Sequence, residues 1–380
     1  MSKRLAYIDY ARGFAILAVI FFHVGTTRLA IARAITLPAM ALFFAMPGLC
    51  AKPEPEKLTL AKVCLWAKRL LLPMLVAYAV CILVDMLRGV FVGYDPWAIP
   101  QLALSELAWG SSYLPSWFPG SDYLCQVKTW GLPADGTGTD LMTPMTCHLW
   151  FIPVLFVGRI IYTMLRPRLK STMGCVVAIV VLVLLSGVEC LDRPLLNQLP
   201  WGLTRAGFAA ACMIAGQLAM RKDVFSVRGA RGFAAFALCF AVWISLYHVG
   251  FMNLSPNMAY WGPTDTLLDP FGAFALSAAM AYAVIYACRS LELWPHLAGV
   301  KKWLGTLGKN TLPVYLWHLP IKGLIEVLII AVTGVTLHFD VFFCLLDPSQ
   351  NPWLVLAENT VLIVGFSLYL MCVKSRQRAQ

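Results

Sequence analysis

The sequence predicts an all-α membrane protein, one polytopic domain crossing a bilayer about ten times. Three observations predict it. Of 380 residues, 60% are hydrophobic and only 13% are charged. A soluble domain carries about 25% charged residues, so this chain cannot cover its own surface with polar groups. The apolar residues also come in blocks close to the ~20 residues that a membrane-spanning helix needs. Finally, most of the basic residues fall between the blocks rather than inside them, as membrane topology favours.

Spans are expected near 7–27, 34–51, 70–88, 148–165, 173–188, 203–220, 231–250, 269–288, 310–334 and 353–373. The first block follows Lys3 and Arg4, and Ala30-Ile31-Ala32 resembles a leader cleavage site. Asp9 and Arg12 interrupt its start, so the block reads as a retained helix. With the N-terminus cytoplasmic, 21 of the 30 Lys and Arg fall on one side, including Lys52 to Arg69, Arg166 to Lys170 and Lys301 to Lys309. An even number of spans then returns the C-terminus to the cytoplasm. The formal net charge of +11 is explained by this topology, and no nucleic-acid partner is expected. The lipid bilayer is the expected surrounding.

Residues 89–147 form an expected external loop, too polar to span and too long for a turn. It carries Trp97, Trp109, Tyr113, Trp117, Tyr123 and Trp130. These suit either stacking on sugar rings or an interfacial aromatic belt. Cys125 and Cys147 lie in this loop and are a candidate disulfide pair, with two free thiols as the other reading. The remaining ten of the twelve cysteines lie largely in apolar blocks. No CxxC or Cys/His spacing marks a metal site.

The chemistry concentrates in the first helix, IDYARGFAILAVIFFHV. Ionisable groups in a span are costly and point to function. Arg12 and His23 are eleven residues apart, about three turns plus ~20°, so they share a face about 16 Å apart along the axis. Asp9 and Arg12 are i,i+3 neighbours and can pair. A cation at the cytoplasmic mouth can hold an anionic donor. A buried imidazole can take a proton from a hydroxyl. The bland reading is a snorkelling arginine and a packing histidine.

Four segments together resemble acyltransferase family 3, membrane-bound acyltransferases that decorate cell-surface glycans and lipids. Asp9, Arg12, Gly13 and His23 match its first-helix pattern. LPAMALFFAMPGLCAK resembles its second helix, with Pro47 where the family has Ser. HLWFIPVLF at 148–156 resembles its fourth helix. LGKNTLPVYLWHLPI at 307–321 resembles its late helix, with Thr311, Tyr315 and His318 in place. One departure stands out. The family often carries Arg-x-x-Arg before a Pro in its third helix; here Arg69 matches the second Arg, Trp66 occupies the first position and the adjacent Lys68 can supply the missing charge, with a positive-inside anchor as the other reading of Lys68 and Arg69.

The resemblance implies that Arg12, Lys68 and Arg69 hold the phosphates of acyl-CoA, acetyl-CoA being the expected donor. It implies that His23, with Arg12 and Asp9, forms the catalytic set, His23 acting as base or acyl relay. Tyr315 and His318 would line the same cavity or serve as interhelical hydrogen-bonding residues. His148 and Arg205 are further candidates near the outer mouth. The expected function is O-acylation, with O-acetylation foremost, of a surface polysaccharide, lipopolysaccharide or glycolipid. The expected location is a bacterial inner membrane, with no bound cofactor. A transporter using Asp9, Arg12 and His23 as its path is the rival, although internal repeats are lacking. Oligomeric state is not legible.

Overall fold

The computed structural model describes residues 5–23, 30–52, 54, 57–92, 100, 103–104, 107, 145–187, 203–226, 231, 234, 237–238, 241–242, 269–334 and 352–379. Among these residues there are helices and turns but no strand. The α-helices are α1 (Ala6–His23), α2 (Ala30–Leu49), α3 (Leu60–Val92), α4 (Phe151–Leu165), α5 (Thr172–Gly187), α6 (Leu203–Arg221), α7 (Asp269–Ser290), α8 (Ala298–Lys309), α9 (Thr311–Thr333) and α10 (Pro352–Ala379). A 3-10 turn, Met145–Trp150, leads into α4. Most of the predicted span 231–250 and of the loop 89–147 lies outside the described residues, as do Cys125 and the Cys147 side chain.

Among the described residues, four helical stretches are long and apolar enough to cross a membrane: Leu60–Val90, His148–Arg168, Phe274–Leu293 and Thr311–Thr333. Their surfaces follow bilayer logic. Leu72, Val76, Leu83 and Val90 on α3 are exposed, as are Val177, Val181 and Leu185 on α5 and Leu324, Leu328 and Val332 on α9. The polar groups go the other way: Asp85, Arg88, Lys322 and Glu326 are fully buried. Apolar outside and charged inside is the pattern of a chain solvated by lipid.

α3 is longer than the predicted 70–88. It begins a full ten residues earlier and runs through Pro73 without a break. α8 was not predicted as a helix. Its sequence, AGVKKWLGTLGK, falls in the stretch read as a basic connecting segment. It is amphipathic, burying Leu304, Gly305, Leu307 and Gly308 while its lysines face away. The α8–α9 junction is tight: the Asn310 side-chain N–H donates to the Thr306 carbonyl at 2.8 Å. α9 ends at Gly334, whose left-handed φ of 62° lets its N–H reach the Ile330 carbonyl.

α1 is the central element, packed against α2, α7, α8 and α9. Its approach to α8 requires glycine. A Cβ on Gly13 would run into the Leu304 carbonyl, and one on Gly308 into the Asp9 carbonyl. Small residues at such crossings let backbones touch. This contact fixes the axial position of Asp9 and Arg12. Several basic ends gather on the same face. Arg166 donates to the Lys52 carbonyl, Arg221 to the Leu169 carbonyl, and Arg289 pairs with Asp223 while lying over Tyr7.

Candidate active site

The motifs that lie far apart in sequence meet around α1. Phe44 of α2 stacks on Phe151 of α4 with ring centroids 4.7 Å apart. Phe151 in turn lies 5.5 Å from Tyr315 of α9. Such aromatic contacts are within the range that stabilises beyond area burial alone. They set three helices at fixed depth around one void.

That void is a cavity of about 320 Å³. Arg12, Pro47, Cys50, Leu70, Phe151, Arg159, Thr311 and Tyr315 are among its lining residues. Its walls come from α1, α2, α3, α4 and α9. Its size falls within the usual range for ligand pockets. Arg12 lies 3.9 Å from Asp9, in the i,i+3 pairing expected from the sequence, and is the more exposed of the two.

Beyond Tyr315 sits a cluster of three buried imidazoles. The His23 and His318 rings stack at 5.0 Å. His148 lies 6.2 Å from His23 and 5.3 Å from His318. Hydrogen bonds define the proton positions. His318 Nδ1 faces the Tyr315 carbonyl at 2.7 Å, and a carbonyl only accepts, so Nδ1–H donates. In a neutral imidazole the other nitrogen then holds the lone pair. His318 Nε2 therefore accepts from His23 Nδ1–H at 2.8 Å. The same rule leaves the lone pair of His23 on Nε2. His148 donates from Nδ1 to the Met145 carbonyl, and its carbonyl accepts from the Tyr315 hydroxyl. His148 Nε2 is buried, with no hydrogen-bond partner among the described residues. Among those residues no group of three or more His, Cys, Asp or Glu is placed to hold a metal ion.

Arg12 and Tyr315 thus line the cavity, Asp9 lies against Arg12, and His23, His148 and His318 cluster next to Tyr315 without being among the cavity's lining residues. The structure does not bring Lys68 and Arg69 there. Both are exposed on α3 and neither lines the cavity. Arg205 is buried on α6 with its guanidinium 5.9 Å from the Trp150 ring, close to the His148 turn but apart from the cavity.

Two features were missed in the sequence. One is Arg159, half-buried on α4 and lining the same cavity as Arg12. The other is a buried charge network next to the histidines. Arg88 Nη1 lies 2.7 Å from Asp85 Oδ1, and Arg88 Nη2 lies 3.8 Å from Glu326. Lys322 pairs with Glu326 and lies 3.8 Å from Glu358 on α10. The Met145 N–H donates to Asp85 at 2.8 Å. Met145 therefore joins the network to His148 through its own peptide groups. Charged pairs at i,i+3 and i,i+4 inside predicted spans were the available sign of this network.

The family model of acyltransferase family 3, described as an acyltransferase domain, matches residues 5–372. The chain belongs to that family, and with its apolar helices it is a multi-pass membrane acyltransferase. No curated protein and no solved structure matches it.

Proposed function

We propose that this protein is an O-acetyltransferase that takes its acyl group from acetyl-CoA and delivers it to a hydroxyl of a surface or periplasmic glycan or glycolipid. The observation that supports this most is the buried His23–His318 couple next to Tyr315, a residue that lines the same cavity as Arg12. The proposed orientation puts the basic end, with Arg12, in the cytoplasm of a bacterium and the protein in its inner membrane. Acyl-CoA enters there with its narrow thioester arm leading toward Tyr315. The acceptor arrives from the opposite side.

In the proposed step, His23 Nε2 removes the acceptor hydroxyl proton as the oxygen attacks the thioester carbonyl. The C–O bond forms, the C–S bond breaks, and the imidazolium returns the proton to the departing thiolate, giving an ester and free CoA. His318 holds His23 in the tautomer that this requires. Positioned proton transfer of this kind contributes about 10²- to 10⁴-fold. Low-dielectric surroundings strengthen every electrostatic contact made at the reacting carbonyl. Acyl relay through His23 is the other route compatible with the same atoms.

The test uses purified protein in nanodiscs with labelled acetyl-CoA and a mixed extract of surface glycans and glycolipids. Wild-type protein is expected to transfer label and His23→Ala to lose transfer. Full transfer by His23→Ala would remove the assigned role. In proteoliposomes, flux of glycan across the bilayer without any acyl donor would point instead to a carrier.

A further inference from the structure

Trp66 stands where the family resemblance expects the first arginine of an Arg-x-x-Arg pair. The structure shows what this tryptophan does. It is buried on α3, and the Arg159 guanidinium of α4 lies 4.2 Å from its ring centroid. That is well inside the ~6 Å range of a cation–π contact. A guanidinium carries its five N–H donors in one plane, a fork that matches the oxygens of a phosphate, and a cation–π seat holds that fork in place. Arg159 is thereby oriented while lining the same cavity as Arg12.

A second relation places Arg159 as the counterpart of Arg12. On α1, Arg12 precedes His23 by eleven residues. On the 3-10 turn and α4, His148 precedes Arg159 by the same eleven. A rise of ~1.5 Å per residue makes the separation about 16 Å on α1, and the wider rise of the 3-10 turn makes it slightly longer from His148 to Arg159. The two chain segments run in opposite senses, and their histidines meet at 6.2 Å. Their arginines both line the cavity, Arg12 from α1 and Arg159 from α4. Phe151, Ile152 and Leu155 line the α4 wall between them.

We propose that Arg159, seated on Trp66, is a second anion-binding residue of the donor cavity and takes a phosphate of the nucleotide end of the donor, opposite Arg12. The proposal rests on the acyl-CoA reading above. The cation missing from α3 is supplied by α4, and the aromatic residue in its place is the platform that holds it.

Isothermal titration of CoA into full-length protein in neutral phosphatidylcholine nanodiscs tests this. Arg159→Ala is expected to raise the Kd by about 10- to 100-fold, the loss of one charge-assisted contact. Trp66→Leu, which keeps the arginine and removes its seat, is expected to raise it by about 5- to 30-fold. With phosphate-free pantetheine as probe, the Arg159→Ala penalty is expected to shrink. If Arg159→Ala does not fold, as judged by its unfolding midpoint, Arg159→Gln carries the same expectation. Unchanged CoA affinity in these variants overturns the proposal while leaving the acyl-CoA reading intact. So does a larger loss from Lys68→Ala/Arg69→Ala, which would return the phosphates to α3. If native mass spectra show that Arg159→Ala loses bound phosphatidylglycerol while CoA affinity is kept, the anion is a lipid headgroup and the proposal is likewise overturned. Wild-type protein that binds no CoA would overturn both readings together.

Discussion

His23 Nδ1 on α1 lies 2.8 Å from His318 Nε2 on α9, 295 residues further along the chain. The bond has a defined direction, because His318 is already committed through Nδ1 to the Tyr315 carbonyl. Removing His318 takes away the acceptor that holds the His23 Nδ1–H tautomer. His318→Ala is expected to lower acyl transfer by about 10²-fold, within the range for misplaced general bases. His318→Gln should retain more activity, since its amide oxygen can accept from His23 Nδ1–H. Rates from labelled acetyl-CoA give the comparison. Equal rates for the two variants would show that the tautomer is not set by this bond.

The Lys322 ammonium is fully buried and faces Glu326 and Glu358, and Glu326 also faces Arg88. Removing one partner of a buried ionic group leaves charge uncompensated at a cost of about 3–5 kcal/mol. Lys322→Met is expected to destabilise the protein by that order, measured as the unfolding midpoint in detergent. A triple variant, Lys322→Met with Glu326→Leu and Glu358→Leu, leaves the Asp85–Arg88 pair and should recover much of the loss. If the single variant is as stable as the parent, these groups do not act as a unit.

The helical, lipid-solvated architecture was legible because hydropathy is a local property. Arg12 and His23 were legible because eleven residues on one helix fix a shared face. The His23–His318 bond was not, since nothing in either helix tells which face meets which. α8 escaped because Lys301, Lys302 and Lys309 dilute an apolar stripe that covers only one side of a short helix. Arg159 escaped because a single arginine inside an apolar block looks like an anchor until its neighbour across the helix contact is known. Asp85, Arg88, Lys322 and Glu326 could have been read as two intrahelical pairs, but their union needs the contact between α3 and α9.

Cys50 is exposed and lines the cavity with Arg12 and Arg159. A donor held by those arginines would cover it. In a background with Cys64 and Cys372, the other exposed cysteines among the described residues, changed to Ser, maleimide labelling of Cys50 is expected to slow at least several-fold on saturation with CoA. Peptide mapping by mass spectrometry follows the site. Labelling at the same rate with and without CoA would place the donor elsewhere.

Gly308 and Gly299 lie on the same helix and make a controlled pair. A Cβ at Gly308 would strike the Asp9 carbonyl and crowd the Gly13 amide, both backbone atoms that cannot rotate away. A Cβ at Gly299 would meet nothing within 4 Å. Helix propensity alone favours alanine at either site by about 0.5–1 kcal/mol. The steric term at Gly308 outweighs it, since overpacking of this kind costs about 1–3 kcal/mol. Gly308→Ala is therefore expected to lower the unfolding midpoint, and Gly299→Ala to hold or raise it. Because the α1–α8 contact sets the position of Asp9 and Arg12, Gly308→Ala should also raise the KM for acetyl-CoA more than it lowers kcat. A Gly308→Ala protein with parental stability and KM would mean that α8 does not position the first helix.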